Sequence, residues 1–242
     1  MRIRNVHMRH EEKFICSSSQ IALIEKRLST FLKKDSHQDG EFYNIRSMYF
    51  DTYDDRLLEE SLQGINLRHK YRIRIYNASD QVINLEKKTS ENLLKQKTSC
   101  RLSRDTVEKI MSCSPWCSDL LPAQDTAREF YTLQKDSGLS PKVIVDYNRC
   151  AFINDIGNIR ITIDKNISAS YKIGSFFDKE ILKIPVLPDS LSVLEVKFDG
   201  IFPGYLAQML NLSNLQRVSF SKYGLCRNIL ENNGRIDEYY EF

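Results

Sequence analysis

The chain has 242 residues, a formal net charge of +3, 41% hydrophobic residues and 10% aromatic residues. That composition supplies a core and excludes global disorder, and so mild a charge excludes a general nucleic-acid coat while leaving local cation clusters able to bind anions. No apolar run reaches the length of a bilayer span, and the first residues, MRIRNVHMRHEEKF, contain no apolar leader, so a cytoplasmic protein without a membrane segment is expected.

A first strand is expected over 9–16, then an amphipathic helix over 17–34 with serines at its start and Ile21, Ile24, Leu28 and Phe31 on one face. A strand at 44–52 leads into a helical turn at 56–58. Strands at 67–76 and 81–89 follow, joined by the turn Asn77-Ala78-Ser79-Asp80. Helices are predicted over 103–113 and 125–135. After Pro141 strands return at 142–153, 158–167 and 192–199, and helices at 203–210 and 220–230 close the chain. Strands spread along the chain with short connections predict one α+β domain over 1–242, built on an antiparallel sheet.

The strands share an odd composition. In KYRIRIY (70–76) one face carries Tyr71, Ile73 and Ile75, and the other carries only Lys70, Arg72 and Arg74. Glu86 and Lys88 lie opposite Leu85. Arg160, Thr162 and Asp164 lie opposite Ile159, Ile161 and Ile163; Glu195 and Lys197 lie opposite Leu194, Val196 and Phe198. Arg9, Glu11 and Lys13 share a face of the first strand. Two arrangements account for this. The charged faces are solvated and cross-linked by ion pairs, or they line the inside of a barrel whose apolar faces pack outward on helices. The second needs an anionic ligand, because unpaired buried charge is costly. Arginine and lysine on rigid strands suit phosphate oxygens, and the interspersed carboxylates suit a divalent metal.

In order along the chain, RHEEKF, SMYFDT, KYRIRIY, LEKK, YNRCAF, RITID, LEVKF and SFSKY resemble the VTC domain of polyphosphate polymerases, a branch of the triphosphate tunnel metalloenzymes. The resemblance runs from about Arg9 to Tyr223. It implies an eight-stranded antiparallel β-barrel tunnel with helices outside, lined by Lys and Arg, that binds triphosphate, pyrophosphate, polyphosphate or ATP with Mn2+ or Mg2+. Residue by residue, it implies Lys13, Arg72, Arg74, Lys88, Arg149, Arg160 and Lys197 as the catalytic cage. Lys70, Lys97, Ser221 and Lys222 would contact substrate, with Arg101 an alternative alignment for Lys97. Glu195 would be a metal ligand, with Glu86 and Glu11 either joining it or serving as ion-pair partners. Glu12 replaces a usually apolar residue and Ser219 a lysine of some polymerase members. The regulatory domain and membrane helices of eukaryotic members are absent, which implies a stand-alone domain.

Other candidates reduce to structure. Cys113 and Cys117 lack the second ligand pair of a zinc site, and all six cysteines are expected reduced. His7, His10, His37 and His69 have no ligand-like spacing, Asp51 sits where a strand turns, and Ser103 reads as a helix cap. Three functions remain open: an ATP-dependent polyphosphate polymerase, a triphosphatase, and a binding module without turnover. Nucleic acid is disfavoured because the cations carry no interleaved aromatics. Nothing in the sequence sets an oligomeric state.

Overall fold

The computed structural model describes residues 9–35, 38, 40–91, 94–116 and 125–232. Cys117, His7 and His37 lie outside the described residues. In chain order the elements are β1 (Arg9–Ser17), α1 (Ser18–Phe31), β2 (Lys33–Lys34), β3 (Tyr43–Asp51), α2 (Arg56–Leu62), β4 (Leu67–Tyr76), β5 (Ser79–Glu91) and β6 (Leu94–Arg101). They continue with α3 (Arg104–Met111), α4 (Asp125–Asp136), β7 (Ser140–Asn154), β8 (Ile159–Ser170), β9 (Ile184–Pro185), β10 (Leu191–Asp199), α5 (Gly204–Leu210) and α6 (Lys222–Glu231).

The sequence marks most boundaries. Ser17 and Gln20 form a capping box at the start of α1, satisfying two of the helix's orphan donors. Asn77 and Ala78 both adopt left-handed φ, near 50°, which gives β4 and β5 the two-residue turn that matches strand twist. Two boundaries depart from expectation. The first helix stops at Phe31, and Lys33–Lys34 instead pairs with β7. The segment around Lys97, which lacks an apolar alternation, is a full strand, β6, because β5 continues beyond its predicted end to pair with it.

One antiparallel sheet runs in the order β1-β10-β8-β7-β3-β4-β5-β6, with the two-residue strands β2 and β9 attached at β7 and β8. The expected closed barrel is corrected here: the sheet curls, but β1 and β6 are its two ends and do not pair. Part of the reason lies at the edge of β1. Val218 donates its N–H to the Lys13 carbonyl at 2.9 Å, and Phe14 forms an isolated bridge with Arg217. A strap at 217–221 therefore takes up β1's edge.

Three apolar clusters hold the curl. On the convex side, Ile21, Ile24 and Leu28 of α1 with Leu206 and Leu210 of α5 cover Phe14, Ile161, Leu194 and Val196. Val107 and Ile110 of α3 with Ala127 and Phe130 of α4 cover Met48, Tyr71, Ile73 and Leu85. The third cluster is inside. Tyr223, Leu225, Cys226 and Ile229 of α6 pack against Ile45, Tyr49, Val143, Val145 and Val193, so this helix fills the apolar half of the concave face. No helix among the described residues is long and apolar enough to cross a membrane.

Candidate functional site

Strand register places the charged residues. Across β4, β5 and β6 the rungs read Arg68–Ser90–Lys95, Lys70–Lys88–Lys97, Arg72–Glu86–Ser99 and Arg74–Asn84–Arg101. Directly opposed residues in a sheet share a face. On the other side Glu11 opposes Lys197 and Lys13 opposes Glu195, while β8 adds Arg160 opposite Lys197 and Thr162 opposite Glu195. Arg149 opposes Asp164, and on its other flank Tyr43. All of the strand-borne candidates thus share the concave face, as the alternation implied.

The carboxylates organise these cations into groups. Glu11 lies 3.2 Å from Lys13, 3.4 Å from Lys88, 3.5 Å from Lys95 and 4.0 Å from Lys197. Because Lys88 and Lys95 belong to β5 and β6, these contacts cross the seam that backbone pairing leaves open. Glu86 holds Arg72 at 2.6 Å and Lys97 at 3.1 Å. Glu195 holds Lys197 at 2.8 Å and Arg149 at 3.7 Å. Asp164, fully buried, receives both arms of Arg149 at 2.7 and 2.8 Å and Lys222 at 2.6 Å.

Three candidates are held differently. Arg74 donates to Ser47 at 3.1 Å and to the Tyr147 hydroxyl at 3.3 Å. Arg160 pairs with Asp35 and donates to Tyr43. Lys70 donates at 3.0 Å to Ser221, whose hydroxyl also caps α6 by accepting from Gly224. Sequence reasoning assigned no role to Asp164, Tyr147, Tyr49 or Asp35. Of these only Asp164 carried a signal, its place on the charged face of β8.

The electrostatics are those of crowded, partly dry charge. Burial opposes ionisation of Glu11, but Lys88, with Lys197 and Lys13, outweighs both burial and nearby Glu195 and holds the carboxyl down at about 2. Glu86 is held well below the carboxylate range against burial by Arg72, Arg74 and Lys97, and Glu195 likewise by Lys197, Lys222 and Lys13. The lysines shift oppositely. Burial, then like charges, pushes Lys70 down to about 8, and Lys88 falls to about 7 although Glu11 supports its charge.

A cavity of about 540 Å³ opens at the seam. It is lined by Lys13, Arg68, Lys70, Lys88, Lys95 and Arg217 against the single carboxylate of Glu11, with Ser219 and Ser221 of the strap completing the wall. Six cations facing one acid make an anion site. Of the predicted cage only Lys13 and Lys88 line it; Arg72, Arg74, Lys97, Arg149, Arg160, Lys197 and Lys222, with Glu86 and Glu195, lie outside this lining, engaged with the partners named above.

Among the described residues no group of three or more His, Cys, Asp or Glu side chains is placed to hold a metal ion. Glu195 is close enough to work against ionisation of Glu11, and Glu11 Oε1 is buried, with Lys13 and Lys95 as ion-pair partners. Lys13 and Lys95 lie 3.2 and 3.5 Å from Glu11 Oε1 and Lys197 lies 2.8 Å from Glu195 Oε1, so a hard divalent ion at this pair would have to displace these lysines and take its remaining ligands from phosphate oxygens and water. Glu86 is tied to Arg72 and Lys97 on β5's side of the sheet.

Comparison with known proteins follows this geometry. The family model described as VTC domain matches residues 8–231. Among solved structures, a Bacillus halodurans protein provisionally assigned as an adenylate cyclase superposes with a TM-score of 0.53 at 14% identity, covering 89% of this chain and 94% of that one. The PH1819 protein of Pyrococcus horikoshii OT3 gives 0.46 at 12% identity over 93% and 99%. The Mimivirus capping enzyme triphosphatase gives 0.40 at 11% identity over 86% and 89%. No curated protein matches the chain by sequence.

Proposed function

The chain belongs to the VTC domain family, and from that premise we propose that it is a metal-dependent phosphotransferase, moving the γ-phosphoryl group of ATP to the end of a growing inorganic polyphosphate chain within a single domain. The observation that carries this reading is the cavity at the seam, six cations around one carboxylate. Phosphoryl transfer asks a protein for positioning and charge neutralisation more than for covalent help. In this reading Lys13, Arg72, Arg74, Lys88, Arg149, Arg160 and Lys197 spread the charge of the reacting phosphates, and Lys70, Lys97, Ser221 and Lys222 hold the substrate chain. Glu11 and Glu195 would hold Mn2+ or Mg2+, with Glu86 joining if it leaves Arg72, and the ion would supply charge to phosphate oxygens.

One observation favours transfer to phosphate over transfer to water. A base that deprotonates water works best with a pKa near the operating pH. In the empty protein Glu11, Glu86 and Glu195 are all held far below it by the surrounding cations. Lys88 titrates near neutrality, but a bound polyanion would restore its charge. A terminal phosphate oxygen is already ionised and needs no such base. Purified protein incubated with ATP and Mn2+ tests the reading. Polymer with ADP is the expected result; free phosphate would replace it with a triphosphatase, and no product with a binding module.

A further inference from the structure

The resemblance assigns residues on the second, third and fourth rungs of the cationic ladder but none on the first. Arg68 and Lys95 sit on that outermost rung, flanking Ser90. It lies about 7 Å beyond Lys70 and Lys88, two residues along each strand. Arg217 reaches the same cavity from the strap on β1's edge. Three different elements thus bring cations to one opening.

These three are loosely held, as Lys88 and Lys97 on the next rung also are, and unlike the deep pair Arg149 and Lys222. Arg68 donates to the Ile65 carbonyl at 2.7 Å and has no carboxylate partner among the described residues. Lys95 is 36% exposed and lies 3.5 Å from Glu11, and Arg217 is 66% exposed with Glu12 at 3.0 Å. Exposed pairs of this kind are weak and exchange readily for a better anion. Deeper in, Arg149 and Lys222 are buried and closely paired with Asp164. A compact anion that saturates Lys13, Lys70 and Lys88 would leave the outer three unused; a chain leading out through the opening would meet all of them.

We infer that Arg68, Lys95 and Arg217 form an outer subsite that holds the phosphate chain beyond the triphosphate, and so sets how strongly the protein retains a long chain over a short one. The inference deepens the polyphosphate reading above and rests on it for the identity of the ligand. A nucleic acid strand would need exposed stacking surfaces at the rim; among the described residues the one aromatic side chain in the lining is Phe220, and it is buried.

The test compares the parent with the triple variant Arg68→Gln, Lys95→Gln, Arg217→Gln. Metal-free affinity is measured for inorganic triphosphate, for long-chain polyphosphate and for a thymidine oligomer of equal charge. The parent should bind the long chain at least tenfold more tightly than triphosphate, and in the variant this ratio should fall below threefold. The salt slope of long-chain binding should drop by about two, as expected when three phosphate contacts are lost. An unchanged ratio in the variant overturns the subsite. So does a parent that gains as much from the thymidine oligomer, since that marks a generic cationic patch. These measurements need no turnover: loss of the ratio in a protein that makes no polymer would keep the subsite and remove the polymerase.

Discussion

Replacing Asp164 by Asn removes the carboxylate that Arg149 and Lys222 share. Its side chain is fully buried, Arg149 approaches it with two nitrogens at 2.7 and 2.8 Å, and Lys222 does so at 2.6 Å. Breaking a buried ion pair from one side costs about 3–5 kcal/mol, because the partner stays buried and uncompensated. For a domain of this length each kcal/mol lowers Tm by about 2–4 °C, so a fall of about 6–20 °C is expected. If Lys222 and Arg149 serve phosphate, the variant should also bind triphosphate more tightly than the parent. One regained charge-assisted contact is worth about 1.5–3 kcal/mol, roughly ten- to a hundredfold in affinity. Differential scanning calorimetry with and without triphosphate reads both effects. A Tm within 2 °C of the parent would refute the buried-pair argument. A large loss that triphosphate does not recover, with no gain in affinity, would leave Lys222 a purely structural tie to Asp164.

Binding should depend on pH through the two depressed lysines. Lys88 near 7 and Lys70 near 8 must carry protons to meet phosphate, so metal-free triphosphate affinity should weaken as pH rises from 7 to 9. Calorimetry in buffers of different ionisation heat should show proton uptake at pH 8. Without ligand the sign reverses: an unfolded lysine titrates near 10.4 and so binds more protons than the folded one above pH 7. Apo stability should therefore increase as pH rises from about 7 toward 10. Glu195→Gln should retain or tighten metal-free triphosphate binding yet lose Mn2+-dependent turnover; parental turnover would move the metal to Glu11 or Glu86. Ser17→Ala should cost about 1 kcal/mol through the lost helix cap while leaving triphosphate affinity unchanged, and an affinity change would link α1 to the site.

Much of the site was legible because strand alternation is a two-residue code. Once Arg72, Glu86, Lys197 and Glu11 lie on strands of one sheet, register alone decides that they share a face. What alternation does not encode is what fills that face. The segment 220–230 reads as an amphipathic helix, but nothing in it says that Tyr223 and Ile229 pack inside the curl and not outside it. For the same reason the faces of β3 and β7 read ambiguously. Their concave residues include Ile45, Val143 and Val145, while Arg46 and Asp146 pair on the opposite face at 2.9 Å. The seam was illegible for a different cause. Closure depends on what pairs with the edge of β1, and that the 217–221 strap and not β6 sits there leaves no mark on local composition.

The carboxylates explain how such a face exists without its ligand. Were the concave cations unpaired, their mutual repulsion and desolvation would oppose the curl that α6 stabilises from the other half. Glu11, Glu86, Asp164 and Glu195 each hold at least two cations, providing in the empty protein part of what phosphate would provide in the filled one. A phosphate chain carries more charge and more oxygens than these acids, and it would compete with Glu11 for Lys88 and Lys95. If it took the lysines, Glu11, whose Oε1 pairs with Lys13 and Lys95 in the empty protein, would be left with negative charge to spare beside Glu195. The same exchange that lets the anion in thus creates the attraction for a cation, so anion and metal should bind with positive cooperativity beyond their own association in solution. An acid-free cage would hold phosphate more tightly, but it would have neither a stable empty state nor a place for the metal.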